Sequence, residues 1–191
     1  RHMIKSCLDQ MGYPPDSYNL SELYKRFLAL ADRKGQVYDY DLEALLFSMR
    51  QEEDDEAFVL DQFNVVSGSG GVIPVASVRL FAGRRTRTES AYGNGPVDAI
   101  LNTIVRLTGI KTKLLTYKIE ANGEGRDALG RVNVTVEYDN RIFHGMGLST
   151  DILEASALAY INAVNAVVRH LRVQAARKGK TFKLPAIGTL L

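Results

Sequence analysis

Arg131-Val132-Asn133-Val134-Thr135-Val136-Glu137-Tyr138-Asp139-Asn140-Arg141-Ile142-Phe143-His144-Gly145-Met146-Gly147-Leu148-Ser149-Thr150-Asp151 is the stretch that decides the fold. Val132, Val134, Val136 and Tyr138 alternate with polar residues, the period of a half-buried strand. Asp139-Asn140 then turns the chain, and Arg141 to Leu148 runs back as a second strand. Asp151 opens a helix whose apolar stripe passes through Ile152, Ala155, Ala159, Tyr160, Ala163, Val164 and Val167. Arg169, His170 and Arg172 close it, where cations suit the helix dipole. Just upstream, Leu115, Tyr117, Ile119 and Ala121 alternate with Thr116, Lys118 and Glu120 as a third strand.

The same pattern stands earlier in the chain. Ala76, Val78, Leu80 and Ala82 alternate, Gly83 begins a turn, and Thr86 to Tyr92 follows. Val97, Ile100, Leu101, Ile104 and Val105 then form a helical stripe that Gly109 ends. Phe63-x-Val65 opens this set as Tyr117-x-Ile119 opens the other. Gly93 and Gly147 each lie thirty residues beyond those aromatic residues, and each precedes an Asp at a helix start, Asp98 and Asp151. A strand-strand-strand-helix unit written twice predicts an α+β fold with an internal pseudo-twofold.

Around this core the chain divides into three. Residues 1–56 read as a helical linker subdomain. Ser21 stands where a cap belongs for a run through Leu23, Phe27, Leu28 and Leu30, and a second run follows through Leu42, Leu45, Leu46 and Met49. The acidic cluster Gln51 to Glu56 reads as a solvated linker. Residues 57–172 hold the repeat, and 173–191, with Arg177-Lys178-Gly179-Lys180, read as a basic flexible tail.

Charge excludes some classes of partner. The chain's 24 basic and 22 acidic residues leave a net charge of +2, too small to point to nucleic acid or an anionic membrane. No apolar run reaches the ~20 residues that span a bilayer. One cysteine, Cys7, excludes an internal disulfide framework and fits a reducing, cytoplasmic setting.

Gly93-Asn94-Gly95-Pro96-Val97-Asp98-Ala99 is the most informative candidate site. Its glycines permit close backbone approach, and Pro96 suits the first turn of the helix that follows. Bare amides at such a start can take an anion such as an amino-acid carboxylate, and Asp98 could meet an ammonium group. The alternative is a tight turn with ordinary capping. Without a Gly-Lys-Ser/Thr ending, the stretch is a poor nucleotide loop. The loop Gly123 to Gly130 either admits a ligand or a neighbouring subunit, or merely connects two strands. His2, His144 and His170 make no metal-spaced set, and Ser67, Ser69 and Cys7 lack a nucleophile's context. Asp98 and Asp151 could pair, or simply cap helices. No catalytic residue is assigned.

Several of these residues, in order, resemble the regulatory domain of the 2-isopropylmalate synthase family. They are Gly93 to Ala99 with Ile104, Leu115-x-Tyr117, Gly125-Arg126-Asp127-Ala128-Leu129-Gly130-Arg131-Val132, and Phe143-His144-Gly145-x-Gly147-Leu148-Ser149-Thr150-Asp151-Ile152 through Ala157. Met11-Gly12-Tyr13, Tyr18-Asn19-Leu20 and Val37-Tyr38-Asp39-Tyr40-Asp41-Leu42-Glu43-Ala44-Leu45 match the entry. The resemblance implies a parent that condenses acetyl-CoA with 3-methyl-2-oxobutanoate in a TIM barrel holding a divalent metal, both outside this chain. It also implies a homodimer, with leucine bound near the dimer interface for feedback inhibition and no cofactor in this fragment. The family's effector pocket carries over onto Asn94, Gly95, Val97, Asp98, Leu114, Tyr117, Ala121, Ala128 and Gly130, with Asp151 a second candidate for the ammonium. Val97, Leu114, Tyr117 and Ala121 suit an isobutyl group, whose burial is worth ~1.5–3 kcal/mol. Citramalate synthase shares the domain, so an isoleucine sensor is the alternative, as is a dimerisation module that binds no effector.

Overall fold

The computed structural model describes residues 1–11, 13, 15, 18–34, 37, 41–42, 45–46, 49, 57–122 and 129–185. The acidic stretch 51–56 and loop residues 123–128, Ala128 among them, lie outside the described residues. The chain divides into two compact units, Arg1–Asp55 and Glu56–Leu191.

In the first unit α1 (His2–Gln10) and α2 (Leu20–Lys34) bury Ile4, Leu8 and Leu23. Positions 41, 42, 45, 46 and 49 are helical, and Leu42, Leu46 and Met49 are buried, as their spacing predicts. The cap of α2 is Asn19 rather than Ser21. Its Oδ1 accepts from the backbone N–H of Ser21 at 3.1 Å and of Glu22 at 3.2 Å. The helix starts at Leu20, which puts Ser21 inside it and leaves the orphan amides to the residue before.

The second unit runs β1 (Val59–Val66), β2 (Val75–Ala82), β3 (Arg85–Tyr92), α3 (Pro96–Thr108), β4 (Lys113–Asn122), β5 (Leu129–Tyr138), β6 (Arg141–Ser149), α4 (Ile152–Arg177). The strands form two antiparallel three-stranded sheets, ordered β1-β2-β3 and β4-β5-β6, each followed by a helix. The fold is therefore α+β, with the expected unit written twice. The second hairpin turns on Asp139 (φ 50°) and Asn140 (φ 57°), both left-handed, as a two-residue turn requires.

The repeat extends to its irregularities. β1 slips register on β2 between Leu60 and Gln62, and β4 slips on β5 between Leu114 and Thr116, 54 residues further on. This bulge puts Leu114 opposite Val136, and Tyr117 opposite Val134. Leu114, not Leu115, thus shares Tyr117's face, because the extra residue shifts the alternation. After the loop between β1 and β2 the offset becomes 56. Val78 faces Glu89 in one unit, and Val134 faces Gly145 in the other. Gly147 therefore corresponds to Ala91 rather than Gly93, and the helix-start pairing becomes Gly95 with Asp151. The second unit's hairpin is longer by two residues, its strands pairing on past Glu120 and Arg131 where those of the first end at Val66 and Val75, and this causes the shift.

One core joins both units of the repeat, built from Ala76, Val78 and Leu80 on β2, Val132, Val134 and Val136 on β5, and the inner faces of α3 and α4. α3 packs on β2 and β3. α4 packs on β5 and β6, touches α3, and reaches β1. Two glycines set α4's depth. A Cβ on Gly145 would stand 2.0 Å from the Ala159 carbonyl oxygen, and one on Gly147 2.0 Å from that of Ala155. α4 continues to Arg177, past the boundary expected near Arg172, since Gln174-Ala175-Ala176-Arg177 are good helix formers. Beyond it Phe182 and Leu184 pack half-buried against the core, and Pro185 lies against Gly109.

Candidate effector site

The turn into α3 is built around two glycines with different tasks. Gly93 donates its N–H to the Pro74 carbonyl at 3.0 Å. A Cβ there would meet the Ala99 nitrogen at 2.3 Å, so only glycine fits. Gly95 is the N-cap, with extended backbone and nothing within 4 Å of a built Cβ. It has no side chain to cap with, and Pro96 carries no N–H. No side chain caps the first turn of α3, which leaves its remaining amides turned toward the space before the helix.

Asp98 holds the turn together. Its Oδ2 accepts from the backbone N–H of Asn94 at 2.8 Å and from Asn102 Nδ2 at 3.4 Å, while Asn102 also donates to the Tyr92 carbonyl at 3.1 Å. The start of α4 is arranged otherwise. Asp151 Oδ1 accepts from the Leu153 N–H at 2.8 Å, and Ser149 Oγ accepts from the Asp151 N–H at 3.0 Å and donates to Glu154. Of the two equivalent helix starts, one caps itself and one is left bare. Asp151 caps its own helix, whereas Asp98 ties the preceding turn to α3 through Asn94 and Asn102.

The other candidates lie along β4 and at its partner. Tyr117 reaches α4, its hydroxyl 2.7 Å from Ser156 Oγ. Ser156 donates to the Ile152 carbonyl at 2.6 Å, so Tyr117 is the donor in the first bond. Ala121 pairs with Gly130 in the ladder. A Cβ on Gly130 would meet Ile152 Cδ1 at 2.8 Å, so this glycine lets the start of α4 close on the sheet. Leu114 is 40% exposed and Ile119 54% exposed. Both lie opposite the core valines Val136 and Val132, so an apolar edge of β4 extends beyond the cover of α4. Ile119 and Ser156 were not among the site candidates that the sequence offered. Ile119's alternation was visible there, but nothing in sequence marks a helix serine as the anchor of a distant tyrosine.

The candidates thus fall into two groups. Asn94, Gly95, Val97 and Asp98 stand at the start of α3. Leu114, Tyr117, Ala121, Gly130 and Asp151 belong to the second sheet and the start of α4. His144 lies on the sheet face away from the helices, its Nδ1 3.3 Å from Thr135 Oγ1. His170 packs on the Phe143 ring, with centroids 5.6 Å apart. Burial, then the nearby Arg141, hold its imidazole below the usual 6.5 against the opposing pull of Asp139. Among the described residues no group of three or more His, Cys, Asp or Glu could hold a metal ion, and no helix is long and apolar enough to cross a membrane.

The second unit is thus one sheet-and-helix module written twice. The chain belongs to the LeuA allosteric (dimerisation) domain family, which residues 36–168 match. More particularly, it is 50% identical over 174 residues to the 2-isopropylmalate synthase of Pectobacterium atrosepticum, an alignment covering 91% of this chain and 32% of that protein. It is 49% identical to the 2-isopropylmalate synthase of Campylobacter jejuni, across 91% of this chain and 34% of the relative, and 51% identical to that of Erwinia tasmaniensis, across 91% and 33%. The chain spans about a third of the length of these relatives.

Proposed function

We propose that this chain is the regulatory region of a cytoplasmic 2-isopropylmalate synthase and binds leucine to inhibit it. The observation that carries the reading is the difference between the two helix starts. Asp151 caps α4 with its own carboxylate, whereas Gly95, at the equivalent position, leaves α3 without a side-chain cap. An uncapped start with a small residue before it suits an incoming carboxylate, through bare amides and the positive end of the dipole. Val97 and the apolar edge of β4, Leu114, Tyr117 and Ile119, offer surface for an isobutyl group. Asp98, already bonded to Asn94 and Asn102, is a fixed negative charge for the ammonium.

Feedback follows if leucine binds one arrangement of a homodimer better than another, since only differential affinity moves such an equilibrium. The condensation of acetyl-CoA with 3-methyl-2-oxobutanoate would then belong to the part of the parent outside this chain, with its barrel and divalent metal. Titration calorimetry with leucine, isoleucine and valine tests the reading. Saturable binding that favours leucine is expected. Preference for isoleucine would make the chain a citramalate synthase sensor, and no binding at all would leave a dimerisation module.

A further inference from the structure

Asn165 lies in the middle of α4 and is 2% exposed. Its Oδ1 accepts from the Phe58 N–H at 3.0 Å, and its Nδ2 donates to the Phe58 carbonyl at 2.8 Å. Phe58 is fully buried and precedes β1, whose ladder with β2 begins only at Val59. One side chain therefore satisfies both backbone groups of the residue through which the chain enters the second unit. Leaving that pair unmet in the core would be costly. The two opposed bonds also fix α4's axial position relative to Phe58, because a slide in either direction stretches at least one of them.

α4 is continuous from Ile152 to Arg177. Ser156, which holds Tyr117, and Asn165, which holds Phe58, therefore stand nine residues apart on one rod, ~14 Å along its axis. We infer that Asn165 is the coupling point through which α4 carries a change at its effector end to the segment entering β1. This rests on the effector reading above. The side chain of Asn165 is bonded to Phe58 and not to a candidate effector residue among the described residues, so it is a positioning residue whose loss separates binding from response.

The test uses the full-length parent enzyme with Asn165→Ser and Asn165→Leu. Serine keeps a polar group and leucine keeps the volume, so the pair separates lost hydrogen bonds from lost packing. Leucine binding is read by calorimetry and inhibition by the rate of condensation. Binding is expected to stay within about threefold of wild type, while the coupling factor, roughly 5–150-fold in allosteric proteins, falls below about twofold. Binding with undiminished inhibition would overturn the inference and leave the effector reading standing. Binding lost in both variants would also overturn it, by placing Asn165 in the site or the fold itself. A wild-type enzyme that binds no leucine would remove the effector reading and this inference with it.

Discussion

Gly147→Ala tests the packing on which the whole second unit rests. The new Cβ would stand 2.0 Å from the Ala155 carbonyl oxygen, 2.7 Å from the Ala159 nitrogen and 2.9 Å from the Ala155 carbonyl carbon. All three are backbone atoms of α4, so no side chain can swing aside. Ordinary contact near 3.5 Å requires α4 to withdraw by about 1.5 Å, and a gap of 0.5–1 Å already forfeits about a quarter to a half of each contact's attraction. The facing alanines Ala155, Ala159 and Ala163 are fully buried and would all lose contact together. The cost falls at the upper end of overpacking, about 3 kcal/mol. At roughly 2–4 °C per kcal/mol, melting should drop by about 6–12 °C in calorimetry. Gly68→Ala is the control, since its Cβ would make only an ordinary 3.4 Å contact with Val72, and it should stay within ~0.5 kcal/mol of wild type. A Gly147→Ala protein melting within about 2 °C of wild type would refute the close seating of α4 on β6.

Other expectations follow from the two helix starts and the groups around them. Gly95→Asp copies Asp151 onto the bare start of α3. It should stabilise the unit by a few tenths to about 1 kcal/mol in urea unfolding while weakening leucine binding at least about tenfold, because the new carboxylate occupies the amides and repels that of leucine. Unchanged affinity would detach the effector's carboxylate from α3. Tyr117→Phe removes the donor to Ser156, at a cost of about 0.5–1.5 kcal/mol by chemical denaturation; no change would mean the hydroxyl bonds water equally well. His170 titrates lower when folded than its usual 6.5, through burial first and then Arg141. The unfolded chain therefore takes up the proton first on acidification. The contribution of His170 is present above about 6.5 and fades as pH falls toward the lowered value. His170→Gln should flatten this part of the stability–pH curve, and an unaltered slope would exclude the assignment.

Much of the fold was legible because strands and helices bury one face each, and burial writes its period into the sequence. Val132, Val134 and Val136 announce β5, and Asp139-Asn140 announces its turn. Periodicity does not report register. The bulge beside Leu115 moved Leu114 onto the inner face, and the longer β4-β5 hairpin shifted the repeat by two, so that Gly147 corresponds to Ala91. Matching glycines misled here, since both admit a helix backbone, but Gly147 does so from within β6 and Gly93 from the turn after β3. The candidate site was legible at Gly93 to Asp98, where proline, glycine and aspartate each restrict the chain. Ser156 and Asn165 left no trace, because a polar residue on a buried helix face acquires its meaning only from a partner far away in sequence, and for Asn165 that partner is 107 residues distant.

The central claim is that the domain recognises leucine, and titration calorimetry of the chain with leucine beside isoleucine and valine tests it most directly. Saturable binding with leucine the tightest of the three is the expected result. Equal or tighter binding of isoleucine, or no heat of binding from any of them, would contradict it.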